Sequence, residues 1–295
     1  MSDNSGTFYA LLTPSQFKLD GGAMFGIIPK PLWKKYIQPD EFNRIEMSLR
    51  VWLIRQDNKI ILVDTGIGDY HPDKFKKRFG ISTKISPLEN ELKARGIEAG
   101  DITDIIVGHL HFDHIGGLSR VENNKVLPVF KNATLHLHKK HYHYSKKPTP
   151  RDAGSFQSNF FEPVIDYYSQ KDKINWLEKN SGVIINSESN PIFFRCSHGH
   201  TPYQVHPFDS KFIFMGDLVP TSSHVQIPWV MGYDMRPGTS SLEKIEFYQF
   251  IQEQGLIMIF DHDKEIWGSS LEKIDKEFKL DKTYSAQNNI NSIDD

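Results

Sequence analysis

The segment from His109 to His114 constrains this chain more than any other. It reads His-Leu-His-Phe-Asp-His, so three imidazoles and one carboxylate lie within six residues. The preceding residues Ile105, Ile106 and Val107 are apolar and predict a buried strand. A strand that delivers these side chains into the loop at its end supplies the nitrogen and oxygen ligands that zinc takes in proteins. The segment therefore predicts a metal-binding loop that follows a strand.

The composition is that of an ordinary globular enzyme. The chain has 295 residues, of which 38% are hydrophobic and 24% charged, and its net charge of −2 gives no basic surplus for nucleic acid. Its start lacks a basic stretch followed by an apolar one, and no apolar run is long enough to span a membrane. The single cysteine, Cys196, favours a reducing compartment. We expect a cytoplasmic enzyme that has no nucleic-acid partner and no membrane partner.

Apolar runs and turn residues predict alternating strands and helices. Strands are expected at 47–54, 59–63, 133–137, 192–195, 211–215 and 256–260, and helices at 87–95, 139–146, 167–179 and 240–254. The prolines, serines and asparagines of 145–162 indicate a loop that covers the site. We expect one domain over residues 1–280 and a polar C-terminal tail over 281–295, most of it frayed.

One pattern recurs along the chain, in which an apolar strand ends at a histidine or an aspartate. It occurs at five places: Asp64, His109, His200, Asp217 and His262. Rigid strands aim the loops at one edge of a sheet towards a common point, and sites are commonly built there. The pattern therefore predicts that these five side chains converge.

Five motifs in this order resemble the metallo-β-lactamase superfamily. They are Leu-Val-Asp-Thr-Gly at 62–66, the histidine-rich segment at 109–114, Gly-His-Thr-Pro at 199–202, Gly-Asp at 216–217 and Asp-His-Asp at 261–263. The resemblance implies an α/β protein with the four-layer αββα sandwich of that family and mixed β-sheets. It also implies a metal centre along one edge of the sandwich.

The same resemblance implies a set of metal ligands and their roles. One ion is expected on His109, His111 and His200, and a second on Asp113, His114 and His262. Asp217 is expected to bridge the two ions together with a water or hydroxide. Zinc is the expected metal, two ions per chain, although sites of this type also accept manganese, iron or cobalt. Asp113 is also expected to act as a general acid and base, and Asp64 to orient a ligand loop or a histidine from behind.

The segments 19–26, 216–221 and 228–234 extend the resemblance to the lactonase and organophosphate-hydrolase branch of the family. They imply a dinuclear hydrolase whose bridging hydroxide opens a lactone or cleaves a related ester. A phosphotriester hydrolase and a non-catalytic metal-binding or sensor protein of the same fold are the alternatives. The substrate is expected to be a small molecule, and exposed apolar residues near the N-terminus indicate a possible homodimer. The expected pocket walls are Phe25, Phe112, His224, Trp229, Met231 and Tyr233.

The remaining histidines give weaker signals. His136 and His138 have strand spacing and His141 and His143 lie on a predicted helix, so we expect the run to form a solvated face rather than a metal site. His198 is expected behind His200 or in the pocket. His71 and His206 lie among polar residues and carry no prediction, and Cys196 is expected to be a small buried hydrophobe.

Overall fold

Two β-sheets lie face to face, and helices cover the outer side of each. The structure is a computed structural model that describes residues 6–82, 87–275 and 277–292. Its strands are β1 (Phe8–Asp20), β2 (Arg44–Gln56), β3 (Lys59–Val63), β4 (Asp104–Ile106), β5 (Ser119–Glu122), β6 (Lys125–Pro128), β7 (Thr134–His138), β8 (Ile174–Leu177), β9 (Ser181–Ile185), β10 (Ile192–Ser197), β11 (Gln204–Phe208), β12 (Phe212–Phe214), β13 (Ile257–Ile259), β14 (Ile266–Ile274) and β15 (Glu277–Ser285). Its α-helices are α1 (Gly21–Phe25), α2 (Lys30–Trp33), α3 (Asp73–Phe79), α4 (Pro87–Lys93), α5 (Phe112–Ile115), α6 (Lys139–Ser145), α7 (Ser158–Gln170) and α8 (Pro237–Gln254).

Both sheets are mixed. The first has the strand order β1-β2-β3-β4-β7-β8, antiparallel up to β3 and parallel from β3 to β8. The second has the order β15-β14-β13-β12-β11-β10-β9, in which β12 and β13 are parallel and the other described pairs antiparallel. Parallel neighbours end at the same edge of a sheet, so the loops after β3 and β4 lie together, as do those after β12 and β13.

The side-chain alternation of the strands creates three layers of core. In β3, Ile61 and Val63 face the second sheet, whereas Leu62 faces the outer helices α4 and α7. In the second sheet, Phe212 and Phe214 face the first sheet, and Ile213 packs against α8. Apolar residues on both faces of these strands require cover on both sides. The four-layer αββα fold predicted from the sequence is confirmed.

Most predicted elements are present, but one helix is wrong. The hairpin of β2 and β3, the helix α8 and the strands β7, β10, β12 and β13 lie where the sequence predicts them. The helix expected at 167–179 is instead the end of α7 followed by β8. Asp172 takes a left-handed conformation with φ of 53°, which ends the helix, and Ile174–Leu177 then pairs in parallel with β7. Isoleucine and tryptophan favour this strand.

Two less regular regions also differ from expectation. The segment 145–162 is not a loop throughout, because α7 begins at Ser158 and buries Phe161 in the core. The fraying expected from residue 281 is wrong for the first part of the tail, since β15 continues to Ser285 and pairs with β14. Ile290 beyond it is only 3% exposed and packs in the core between the sheets.

Candidate metal centre

The candidate metal centre is built from loops that follow strands of both sheets. His109 and His111 lie after β4, and Asp113 and His114 lie on the short helix α5. From the second sheet, His200 follows β10, Asp217 lies in a 3-10 turn (Gly216–Leu218) after β12, and His262 follows β13. All seven predicted ligands are buried. The structure therefore brings together, along the shared edge of the two sheets, residues that are far apart in the sequence.

Glycine allows one of these loops to approach closely. A Cβ atom on Gly199 would lie 2.2 Å from the hydroxyl of Ser240 at the start of α8. The backbone N–H groups of His198 and Gly199 donate to the carboxylate of Glu243 at 2.7 and 2.9 Å. These contacts fix the loop against α8, and the Gly-His-Thr motif therefore holds His200 in place.

The first group of donors consists of three histidines and one aspartate. His109, His111, His200 and Asp217 offer ligand atoms that all lie within 4.8 Å of one another. Nε2 of His200 lies 3.0 Å from Oδ2 of Asp217, and Nε2 of His109 lies 3.6 Å from the same oxygen. Two atoms that bind one zinc ion at about 2.0–2.2 Å are at most about 4.4 Å apart. These separations fit a single ion.

The second group shares Asp217 with the first. Nε2 of His262 lies 3.1 Å from Oδ1 of Asp217, and Nε2 of His114 lies 3.6 Å from Oδ2. Oδ2 of Asp113 lies 3.7 Å from Nε2 of His114 and 3.6 Å from Nε2 of His262. Asp261, which the sequence analysis did not select, has a carboxylate oxygen 3.6 Å from Nε2 of His262. The ligand atoms that lie within 4.8 Å of one another in this group come from His114, Asp217, Asp261 and His262, and the predicted ligand Asp113 is not among them. Asp217 therefore belongs to both sets of donors.

Partners on the far side orient three of the histidines. Nδ1 of His114 donates to Oδ2 of Asp64 at 2.9 Å, and Nδ1 of His200 donates to Asp234 at 3.0 Å. Nδ1 of His262 donates to the carbonyl oxygen of Ser48 at 2.9 Å. In each ring the proton is thereby placed on Nδ1, so the lone pair of Nε2 points into the cluster. Asp64 has the orienting position that the sequence predicted for it.

The carboxylates and imidazoles of the cluster shift one another's pKa values. Burial would raise the pKa of Asp217, but His200 and His262 lower it well below the usual range. Burial lowers the pKa of His109, and the neighbouring imidazoles of His114 and His111 lower it further. For His200 burial is outweighed by Asp217 and Asp234, which raise its pKa to about 10. The carboxylates therefore favour positive charge at the centre of the cluster, whether protons on the histidines or metal ions.

Several buried polar atoms of the cluster lack a hydrogen-bond partner among the described residues. They are both ring nitrogens of His109, Nε2 of His111, Nε2 of His114, Oδ1 of Asp217 and both carboxylate oxygens of Asp261. Buried polar groups are nearly always paired in folded proteins, because an unpaired one costs about 1–3 kcal/mol. Divalent cations would satisfy Nε2 of His109, Nε2 of His114 and carboxylate oxygens of Asp217 and Asp261, since each imidazole gives one nitrogen to an ion. The donor set, the separations and the unpaired atoms all fit two metal ions.

A pocket of about 450 Å³ opens onto this cluster. Of the predicted wall residues, Phe112, Met231 and Tyr233 line it. The prediction is wrong for Phe25, His224 and Trp229, which do not line this pocket. The ring of Phe25 stacks on His224 at 4.6 Å and meets Trp229 edge-on at 5.6 Å, so the three rings form a buried layer behind the wall.

Other pocket residues were missed by the sequence analysis. Phe75 and Phe79 of α3 pack on Phe112, with ring centroids 5.2 and 5.4 Å away, and both line the pocket. Their four-residue spacing on a predictable helix was an available signal. Arg78 and Arg151 also line the pocket. The walls therefore combine an aromatic surface with two guanidinium groups.

The histidines at 136–143 do not form the solvated face that was expected. His136 is buried and its Nε2 donates to Asp104 at 2.8 Å, while His138 is buried against Tyr203. His141 accepts the N–H of Leu110 at 2.8 Å and donates to the carbonyl of Pro202 at 2.7 Å. Only His143 of the four is exposed. His141 therefore links the two loops that carry candidate ligands.

The remaining histidines of the sequence analysis and Cys196 lie outside the cluster. Nδ1 of His198 accepts the N–H of Tyr203 at 3.2 Å, which gives it a role in the loop rather than in the pocket. His71 stacks on Phe75 and His206 pairs with Ser197, and both are buried. Cys196 is half-buried and packs against the core between the sheets. Burial raises the pKa of its thiol to about 12.

Comparison with known proteins agrees with this architecture. The sequence model of the metallo-beta-lactamase superfamily matches residues 49–284. The chain therefore belongs to that superfamily. It is similar to a curated protein, "Metallo-hydrolase mfmC" of Annulohypoxylon moriforme, with 26% identity over 113 residues. That alignment spans 35% of this chain and only 29% of the relative's length.

Solved structures with the same fold cover nearly the whole chain. A probable metal-dependent hydrolase from Staphylococcus aureus superposes with a TM-score of 0.81 and 26% identity, covering 96% of this chain and 98% of that one. The dizinc quorum-quenching lactonase AidC gives a TM-score of 0.70 with 20% identity, covering 93% and 94%. The hydrolase AbOPH gives 0.67 with 18% identity, covering 95% of each chain. The last two similarities show the fold alone.

Proposed function

We propose that the protein is a dinuclear metal-dependent hydrolase that opens a lactone or cleaves a related ester. The observation that carries the proposal is the position of Asp217 between two groups of buried donors. Three imidazoles in the first group favour zinc, and the carboxylates of the second also suit manganese, iron or cobalt. AidC, named as a dizinc lactonase, has the same fold.

When bound, two such ions would lower the pKa of a shared water towards 7 and polarise the substrate carbonyl, which provides a nucleophile at neutral pH. His109, His111 and His200 would hold the first ion, and Asp113, His114 and His262 the second, with Asp217 between them. Asp113 lies on the pocket side of the cluster. Its carboxylate would take the proton of the attacking water and pass it to the leaving alkoxide.

Tyr233, which also lines the pocket, would supply a proton donor. Burial raises the pKa of its phenol to about 12, and the charges of Asp20 and Asp113 act in the same direction. The phenol therefore keeps its proton at neutral pH and can donate a hydrogen bond to an ester or lactone oxygen. The aromatic wall of Phe75, Phe79 and Phe112 would contact an apolar acyl tail.

The proposal is tested by measuring metal content and hydrolysis on the same preparations. Protein purified in the presence of zinc is expected to hold close to two ions per chain. It is expected to hydrolyse lactones or aryl esters, and metal-stripped protein to hydrolyse neither. Asp217→Asn should lose both metal and turnover. Asp209→Asn is the matched control, because Asp209 is equally buried but pairs with Tyr9 and Asn190 instead.

Each alternative function predicts a different result in this experiment. Turnover of aryl phosphotriesters alone would show that the protein is a phosphotriester hydrolase and not a lactonase or esterase. Two bound ions without turnover of any of the three substrate classes would favour a non-catalytic binding protein. Full metal content and full activity in Asp217→Asn would refute the bridging role on which the mechanism depends.

A further inference from the structure

Four exposed apolar side chains lie in the segment that follows the helix α1. Ile27 is 86% exposed, Leu32 45%, Tyr36 59% and Phe42 67%, and all four lie within sixteen residues of sequence. Large apolar side chains at the surface are ordinary when they are scattered singly. Four in one short segment indicate a surface that something covers.

The same region is strongly basic in a chain that is slightly acidic. Residues 27–44 and 73–79, together called the basic patch, contain eight lysines and arginines and three aspartates and glutamates. Since the whole chain has a net charge of −2, the remainder carries −7 against +5 for the patch. Asp40 is already engaged by Lys18 at 3.4 Å and by Arg44 at 3.0 Å. The lysines therefore present positive charge to the solvent.

Direct contacts join the two segments of the basic patch. The guanidinium of Arg44 lies 5.2 Å from the centre of the Phe42 ring and donates to the carbonyl oxygens of Lys77 and Arg78 at 3.3 and 3.1 Å. The helix α3 is itself amphipathic. Phe75 and Phe79 turn towards the pocket, whereas Lys74 and Lys77 are exposed. The patch therefore continues up to the pocket wall.

We propose that the basic patch binds the surface of a membrane that contains anionic phospholipid. Exposed apolar side chains among lysines are what the interface of a bilayer accepts, because the apolar groups enter the acyl region and the ammonium groups meet phosphate. The expectation from the sequence was no membrane partner. It rested on the lack of a spanning segment, and among the described residues no helix is long and apolar enough to span. Binding at the surface does not require one.

Charge also argues against a second copy of the chain as the occupant. A twofold dimer would bring one patch of charge +5 against another, and like charges facing each other oppose association. An anionic lipid surface has the opposite sign and no defined shape, which suits side chains that project separately. Because α3 belongs to the basic patch and also lines the pocket, a lipophilic small molecule held in the bilayer would reach Phe75 and Phe79 beside the surface.

The test is sedimentation of the full-length, metal-loaded protein with vesicles, without substrate, so that its result does not depend on the hydrolase proposal. Binding is expected with vesicles of phosphatidylcholine and phosphatidylglycerol at seven to three, and not with phosphatidylcholine alone. Raising the salt concentration to about 1 M shortens the screening length to about 3 Å and should release the protein. The variant Lys34→Gln/Lys35→Gln/Lys77→Gln should bind roughly 100-fold more weakly, at about fivefold for each charge.

Matched variants separate this surface from general charge and exposure. Lys273→Gln/Lys279→Gln/Lys282→Gln makes the same change of charge on β14 and β15 and should leave vesicle binding intact. Ile27→Ser/Phe42→Ser should weaken binding, whereas Val183→Ser, at a half-exposed site on β9, should not. All these side chains are partly or fully exposed, so the melting temperature is expected to stay unchanged.

Three results would overturn the proposal. The first is equal binding to neutral and anionic vesicles, and the second is equal weakening by the two triple-lysine variants. The third is a change of molar mass in solution for Ile27→Ser/Phe42→Ser with vesicle binding unaltered. That outcome would assign the patch to contact between copies of the chain.

Discussion

The substitution Asp64→Asn tests whether the orientation of His114 affects metal binding, because it leaves every candidate ligand in place. Oδ1 of Asp64 accepts the N–H of Gly108 at 2.7 Å, and Oδ2 accepts the proton of His114 Nδ1 at 2.9 Å. An asparagine has one oxygen, so one of these donors must face an NH₂ group. If that donor is His114, its proton moves to Nε2, and the nitrogen that points at Asp217 can no longer bind a metal.

The expected size of the effect follows from these two contacts. Loss of a carboxylate that orients a ligand histidine typically weakens metal affinity 10- to 100-fold, or about 1.4–2.7 kcal/mol. A buried N–H left without a partner costs a further 1–3 kcal/mol of folding stability, roughly. Backbone strain does not contribute, because Asp64 has φ of 59° and asparagine tolerates this region as well as aspartate does.

The assay is metal retention against a graded series of chelator concentrations, with the melting temperature measured in parallel. Asp64→Asn should release one of two ions at 10- to 100-fold lower chelator concentration, while the second ion is affected less. Asp209→Asn should lose similar stability without this effect, because Asp209 contacts Tyr9 and Asn190 away from the cluster. Wild-type retention in Asp64→Asn would refute the tautomer argument.

Three further predictions concern stability. Stripping metal should lower the melting temperature by roughly 10 °C, since ligand at 1,000 times its Kd contributes about 4 kcal/mol, and an unchanged melting curve would contradict the assignment of the cluster. Burial opposes ionisation of Asp104, but His136 and Lys59 lower its pKa from 3.8 to about 2. Its contribution is therefore complete above pH 4 and lost as the pH falls through 2. Urea unfolding should show Asp104→Asn matching the wild type near pH 2 and less stable by about 1–2 kcal/mol at pH 6. Lys244 is fully buried and donates to the carbonyls of His224 and Trp229, each at 2.6 Å. Lys244→Met should cost about 2–4 kcal/mol in the same assay, and a wild-type midpoint would show that these carbonyls find other partners.

The residues that converge in the candidate metal centre were predictable because their signals are local. Each of them follows an apolar strand within a few residues, and the order of the motifs is that of a known family. The buried histidines were misjudged for the opposite reason. His136 looks like a surface residue until β4 places Asp104 beside it, and that pairing joins residues 32 positions apart.

Pocket walls were harder to predict for a similar reason. Phe25 and Phe75 are both aromatic residues near the start of the chain, and their sequence neighbours do not distinguish them. One is stacked between Trp33 and His224, whereas the other lies on the cavity. The difference depends on how α1 and α3 pack against loops of the second sheet, which is tertiary information. Asp261 was adjacent to a predicted ligand and was missed because the family motif assigns the role to His262.

The sharing of Asp217 makes the two halves of the chain depend on each other. The donors of residues 109–114 belong to the first sheet, and those of 200, 217 and 262 to the second. Any ion held by both sets of donors would connect the two sheets at their shared edge. Binding of one ion would fix the orientation of the Asp217 carboxylate for the second ion, so we expect metal binding to be cooperative. A fragment containing either sheet alone would retain only half of a coordination shell.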